Sequence, residues 1–269
     1  MLKNFKVGTS EALKVILAVD VGNTNIVLGV FEEDKFIGYW RLATETRRTA
    51  DEYSILIDAL LKRLGEKAER VSSIVIGSVV PVLSDTMDAA FRKLFSFSPF
   101  HITHATPMPV ANKYAKPNEV GVDRLANAVG GLALYGSPLI IVDAGTAVTL
   151  DVVSRDAEYL GGAILPGIEL SAEALAKRTA RLPRVAAHEP HHAIGRTTVE
   201  SIRSGLILGL VGAVDHLIER MWGELGYTTS TAATGGLAQT IINHSQIVKE
   251  SREDLTLRGL VEIFRFNNS

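Results

Sequence analysis

The chain has 269 residues, more than one minimal domain requires and enough for two of medium size. Hydrophobic residues make up 46% and charged residues 22%, which excludes a disordered chain, and a net charge of −2 provides no overall positive field to draw it to nucleic acid or an anionic membrane. There is no cysteine, so disulfides, thiolate metal sites and a cysteine nucleophile are excluded, and a reducing cytoplasm is the expected compartment.

Residues 1–14 lack the long apolar core and small-residue cleavage site of a secretory signal and are expected to be a short extension. From Val15 to Phe31 two apolar runs flank the polar stretch Asp20-Val21-Gly22-Asn23-Thr24-Asn25, the pattern of a β-hairpin with a tight turn. A strand follows at Phe36 to Leu42. Thr49-Ala-Asp-Glu52 is a capping box opening an amphipathic helix to Leu64, with Gly65 ending it. The pattern then predicts a strand at Val71 to Val79 and helices at Ser84 to Phe95 and Asp123 to Tyr135. Tyr135-Gly-Ser-Pro138 breaks the last of these and sets the expected divide between domains 15–134 and 135–269.

The second half repeats the opening theme. Leu139 to Val153, PLIIVDAGTAVTLDVV, is again two apolar runs about an Asp-x-Gly turn, and the likeness to the first hairpin points to duplication of one fold. A strand at Gly161 to Leu165 and helices at Ile168 to Lys177 and Val199 to Leu225 complete the pattern. The apolar run Gly205 to Val214 has about half the length needed to cross a bilayer and is expected to be a buried helix. Its Gly205, Gly209 and Gly212 leave room for another backbone.

A strand-joining turn that carries Gly and Asn exposes backbone N–H groups, a nest for phosphate. An aspartate inside such a turn fits when a cation accompanies the phosphate, so Asp20 is a candidate magnesium-side ligand, with Thr24 and Asn25 able to hydrogen-bond phosphate oxygens. The plain alternative is a hairpin with Asn in a left-handed position and Asp capping its own turn. Asp143, Gly145 and Thr146 repeat the arrangement, and a later glycine-rich element is Thr234-Gly235-Gly236. Together these resemble the phosphate-1, phosphate-2 and adenosine motifs of the actin, Hsp70 and sugar-kinase superfamily. The resemblance implies an α/β fold of two duplicated ribonuclease-H-like domains (an actin-like ATPase fold) with ATP in a cleft between them. The sequence has neither a P-loop nor an intact G-x-G-x-x-G fingerprint.

A more specific likeness lies in YAKPNEVGVDRLANAVGG, residues 114 to 131. With DVGNTN, DAGTA and IGRTTVESIRSG in the same order, it resembles type III pantothenate kinase from about Leu17 to Phe266. The resemblance implies ATP-dependent phosphorylation of pantothenate to 4′-phosphopantothenate, the first step of coenzyme A biosynthesis, by a cytoplasmic homodimer without nucleic-acid or membrane partners. It implies ATP contacts at Asp20, Val21, Gly22, Asn23, Thr24, Asn25, Ile26, Val27 and Thr146. Asp123 matches the proton acceptor, and Tyr114, Gly121, Val122, Asp123, Arg124 and Thr198 match substrate contacts. Asp143 matches the ligand of a monovalent cation, K+ or NH4+, acting beside ATP and Mg2+. Many members have alanine where Val122 stands and threonine where Val148 stands; neither change removes a functional group.

The physical reading of these residues agrees. Asp123 and Arg124 open a helix, placing a carboxylate and a guanidinium at a cleft edge, and a carboxylate in reach of a primary alcohol can take its proton as it attacks a phosphoryl group. Thr198 is equally suited to capping a helix. His188, His191 and His192 are expected in a solvated loop rather than a metal site, Arg41, Arg47 and Arg48 on a solvated face, and Met221 and Trp222 in a core or subunit interface. Two other readings are a non-catalytic accessory transcriptional regulator of the same fold, and an actin- or Hsp70-like ATPase; retention of Asp123 and Arg124 argues against the first and the short chain against the second.

Overall fold

A computed structural model describes residues 14–179, 181–186 and 188–268. The expected extension, residues 1–14, lies outside them apart from Lys14. The chain forms two compact units: one takes the described residues up to Pro109, Lys116–Gly130 and those from Thr256 on, the other Val110–Ala115 and Gly131–Leu255.

In the first unit β1 (Val15–Val21), β2 (Asn25–Glu32), β3 (Lys35–Ala43), β4 (Val71–Ser78) and β5 (Phe100–Ile102) form one sheet in the order β3-β2-β1-β4-β5. The first three strands are an antiparallel meander, while β4 runs parallel to β1 and β5 parallel to β4. β1 reads VILAVDV because it is the central strand, buried on both faces. On one face Leu17, Val19, Ile26, Leu28 and Ile76 pack with Tyr53 and Ile57 of α1 (Ala50–Leu61) and Met87 and Phe91 of α2 (Ser84–Leu94). Each such burial contributes about 1.5–3 kcal/mol. The Thr49 capping box forms as predicted, the Glu52 amide donating to Thr49 Oγ1 (3.3 Å) and the Thr49 amide to Glu52 Oε2 (2.8 Å). Beyond Leu61 the chain tightens into a 3-10 turn that breaks at Gly65 (φ 61°), the glycine expected to end the helix, before a second short turn leads to Arg70.

β6 (Ala111–Asn112) and α3 (Val122–Tyr135) precede a second sheet of β7 (Leu139–Ala144), β8 (Ala147–Val153) and β9 (Glu158–Pro166). Then come α4 (Ile168–Arg178), α5 (Thr198–Leu225), β10 (Ser230–Thr234), α6 (Ala238–His244) and α7 (Leu255–Phe266). The second sheet runs β10-β7-β8-β9-β6. Read from β9, its β9-β8-β7-β10 portion repeats β3-β2-β1-β4 with the same strand directions, so the likeness of the two hairpins extends to the whole meander.

Two expectations differ from the structure in informative ways. The last helix, α7, belongs with the first unit and not with the second half of the chain: its Leu257 and Leu260 pack on Gly29 and Gly77, and Phe264 meets Phe100 with ring centroids 5.5 Å apart. A Cβ at Gly259 would collide with the Ala126 carbonyl, so a residue that signals a poor helix in the sequence is what lets α7 lie close on α3. The apolar run Gly205 to Val214, expected to be buried, is buried along one face only. Ile202, Ile207, Val211, Val214 and Ile218 of α5 turn inward, whereas Gly205, Gly209 and Gly212 are exposed. By length and composition α5 could span a bilayer, and 28% of its most apolar window is buried.

Candidate active site

The first acidic hairpin is built from the end of β1. Asp20, half-buried, stands one residue before the strand end, across from Val27 on β2 and Gly77 on β4. Two contacts from Thr44 brace the turn after it: the Thr44 amide donates to Thr24 O (3.0 Å) and Thr44 Oγ1 to Gly22 O (2.6 Å). The Gly22 amide donates to Asn25 O (3.0 Å) and closes the turn. Asn23, Thr24 and Asn25 are exposed, while Val21 and Ile26, in the same expected ATP-binding stretch, are buried in the core.

The start of α3 meets this strand end within the same unit. The Val79 amide donates to Val21 O (3.0 Å), continuing β4 past the tip of β1. A Cβ at Gly77, the partner of Asp20, would press on Val122 Cγ1 and Leu260 Cδ2. Glycine at 77 therefore lets the first residue of α3 sit against β4, the strand paired with the one that carries Asp20. Gly121 is small for a related reason: a Cβ there would run into the Asp123 carboxylate. That carboxylate is half-buried, and its Oδ1 accepts from the amide of the next residue, Arg124 (2.8 Å), within the first turn of α3. Burial pushes the Asp123 pKa above the ordinary aspartate value, opposed by the Arg124 amide and guanidinium. Arg124 is only 8% exposed, largely buried in the first turn of α3. One turn on, Asn127 is fully buried and its Oδ1 accepts from Thr256 Oγ1 (2.6 Å), tying α3 to the start of α7.

In the second unit Asp143 repeats the position of Asp20, one residue before the end of β7, across from Thr149 on β8 and Thr234 on β10. The Gly145 amide donates to Ala147 O (3.0 Å), so this turn also uses its glycine amide internally, and Thr146 is exposed. Gly235 has φ +88°, and a Cβ on it would crowd Asp143 Oδ1 and the Ala144 carbonyl; the Thr-Gly-Gly element thus folds directly against the second acidic hairpin. Gly167, at the start of α4, fits equally closely over the Gly145 and Thr146 carbonyls and donates to Thr146 O (3.0 Å).

Tyr114 lies on the segment that β6 docks beside β9. It is half-buried, with Cδ2 and Cε2 of its ring close to Gly161 and its ring centroid 6.4 Å from that of Tyr159. The cap of α5 is Thr197, whose Oγ1 accepts from the Glu200 amide (3.2 Å), so Thr198 is the first helical residue, exposed and not the cap. His188, His191 and His192 lie exposed in the segment before α5. Arg41 sits over the Tyr39 ring (5.0 Å) and Arg48 over Tyr53 (5.8 Å), while Met221 and Trp222 pack against the second core. Sequence reasoning missed Thr44, which braces the first turn, and Asp151, a fully buried carboxylate on β8. The second had a signal: an aspartate two residues after Thr149 within an otherwise apolar buried strand.

Comparison with known proteins fits this arrangement. A family model described as type III pantothenate kinase matches residues 16–220. A type III pantothenate kinase of Myxococcus xanthus is 44% identical over 95% of this chain and 100% of its own length. One from Finegoldia magna is 40% identical over 95% of this chain and 98% of its own length. Among solved structures, a conserved protein assigned to the Baf family from Campylobacter jejuni covers 94% of this chain and 98% of its own, with 21% identity and a TM-score of 0.60. A hexokinase of the ROK class from Thermus thermophilus covers 95% and 100%, with 13% identity and a TM-score of 0.50. The architecture is that of the actin-like and sugar-kinase fold.

Proposed function

We propose, because this chain belongs to the type III pantothenate kinase family, that it transfers the γ-phosphoryl group of ATP to the primary alcohol of pantothenate, the first step of coenzyme A biosynthesis. One observation carries the reading beyond family membership: Gly121-Val122-Asp123-Arg124 opens α3 against the strand pair that bears Asp20, within a single unit.

In this reading Asp123 accepts the hydroxyl proton as the oxygen attacks. Burial raises its pKa above the ordinary aspartate value, which makes the carboxylate a stronger base toward the hydroxyl proton. The Arg124 fork orients the carboxylate end of pantothenate, and Tyr114, Gly121, Val122 and Thr198 complete the substrate contacts. Asp20 to Val27 and Thr146 hold ATP; the exposed Asn23, Thr24 and Asn25 side chains supply the polar contacts, and buried Val21 and Ile26 hold the turn in place. With glycine amides consumed inside both turns, side chains carry more of the phosphate binding than a backbone nest would.

The described residues include no group of three or more His, Cys, Asp or Glu able to hold a metal by themselves. That donor set fits magnesium arriving on the nucleotide, where phosphates supply most ligands and Asp20 one carboxylate, directly or through water. Bound there, magnesium neutralises charge on the transferring phosphoryl group. Asp143 is the proposed ligand for K+ or NH4+. We further propose a cytoplasmic homodimer with the glycine-bearing outer face of α5 as its seam, since Gly205, Gly209 and Gly212 have open space around them. The Baf-family likeness, at 21% identity, concerns the fold and lends a regulatory role no support.

Purified protein should consume ATP only when pantothenate is added, with a magnesium requirement and stimulation by potassium or ammonium. ADP production that does not respond to pantothenate across a panel of these salts would overturn the reading.

A further inference from the structure

The second unit contains a buried carboxylate that the mechanism above does not use. Asp151 is 0% exposed, and its two oxygens accept from Tyr159 Oη (2.9 Å) and Thr149 Oγ1 (3.0 Å). It lies on the β8 face opposite Val148, Leu150 and Val152, which pack in the core with α5 and α6. Across the ladder from it is Ile141, on which α3 packs through Gly131. A carboxylate in such a place is costly unless its partners are held in good geometry, so it imposes a fixed position on whatever donates to it. Tyr159 is that donor, and its ring is also fully buried.

Everything that seats Tyr114 converges on Tyr159 and its neighbours. The Lys113 amide donates to Tyr159 O (2.9 Å), Asn112 pairs with Tyr159 in the β6–β9 ladder, and Lys113 Nζ meets Glu158 at 3.2 Å. The Tyr114 amide donates to Asn112 Oδ1 (3.0 Å), and the Tyr114 and Tyr159 rings form a tilted pair at 6.4 Å. Gly161 has φ +113° beside a ladder irregularity at Val152/Val153, and a Cβ on it would press within 2.9 Å of the Tyr114 ring. At the other end, Thr149 stands directly across from Asp143.

We propose that Thr149, Asp151 and Tyr159 are positioning residues that lock the Tyr114 ring in the orientation needed to grip the acceptor substrate. The proposal rests on the reading of Tyr114 as a pantothenate contact. Asp151 fixes the Tyr159 hydroxyl, the hydroxyl fixes the ring, and the ring with Gly161 forms the floor on which Tyr114 lies. A support of this kind acts on acceptor binding and leaves the nucleotide alone.

The test is steady-state kinetics on full-length Tyr159→Phe, Asp151→Ala and Asp151→Asn, with melting temperature alongside. Tyr159→Phe and Asp151→Ala should raise KM for pantothenate roughly tenfold, the scale of one hydrogen bond lost, and move KM for ATP by less than about twofold. Asp151→Asn, which still accepts from Tyr159, should recover most of the loss. Should Asp151→Ala fail to fold, Tyr159→Phe, which removes one oxygen and no carbon, decides alone. A lowered melting temperature with unchanged pantothenate KM would make the network merely structural and overturn the proposal. Tyr114→Ala separates the two levels: a raised KM there beside unchanged values in the support variants sinks the proposal alone, whereas an unchanged KM there sinks the contact reading and the proposal with it.

Discussion

The two acidic hairpins occupy the same place in equivalent meanders and keep different company. Asp20 has Val27 and Gly77 across the sheet; Asp143 has Thr149 and Thr234. The first hairpin is flanked by apolar or absent side chains, and the start of α3, which carries Asp123 and Arg124, packs on the neighbouring strand β4 through Val122. The second carries hydroxyls on both neighbouring strands and has Asp151 buried two residues beyond Thr149 on β8. A repeated backbone thus preserves position without preserving chemistry, because ladder hydrogen bonds are blind to the side chains on a strand face.

The largest break should come from Asp123→Asn, which removes the proposed proton acceptor from the first unit. Turnover is expected to fall about 10²–10⁴-fold with ATP affinity retained, read by steady-state kinetics and nucleotide binding. The raised pKa has two further signs. Activity should be lost on acidification through a pKa above the ordinary aspartate range, because the base form disappears there. The buried charge should cost stability above that pKa and cease to do so in acid, so Asp123→Asn should melt higher than wild type near neutrality, with the gain shrinking as pH falls.

Next in size is the proposed division of ions between the hairpins. Asp143→Asn should abolish potassium or ammonium stimulation and Asp20→Asn should weaken magnesium dependence, each by about tenfold or more, the scale of a charge-assisted contact. If both variants altered the response to the same ion, the distinction between the hairpins would dissolve.

Two glycines sharpen the comparison in stability. A Cβ at Gly235 meets Asp143 and the Ala144 carbonyl at φ +88°, whereas one at Gly77 meets chiefly the movable end of Leu260. Backbone cannot yield as a leucine can, so Gly235→Ala should cost about 3 kcal/mol and Gly77→Ala about 1 kcal/mol by denaturant unfolding. The smallest effect belongs to Thr44→Val, which removes the 2.6 Å bond to the Gly22 carbonyl. It should cost about 1 kcal/mol and raise KM for ATP modestly, since it loosens only the first turn.

Much of the frame was legible because its signals are local. Both hairpins, the Thr49 capping box and the helix opening at Asp123 are short-range patterns, and each lies where the residues placed it to within a residue or two. β5 and β6, three and two residues long, are too short for alternation to register, and β10, STAAT, is too small and polar to resemble a strand. The α5 cap fell one residue from the expected one because Thr197 and Thr198 are both suitable and only the chain path chooses between them.

Strand periods, caps and turn chemistry were written into neighbouring residues, since each depends on φ/ψ preferences and on side chains a few positions apart. The company each group keeps was not. That Gly77 stands between Asp20 and Val122, that α7 returns to the first sheet, and that Asp151 grips Tyr159 all depend on distant segments meeting. A side chain's local pattern is compatible with many partners until sheet pairing and helix packing choose one.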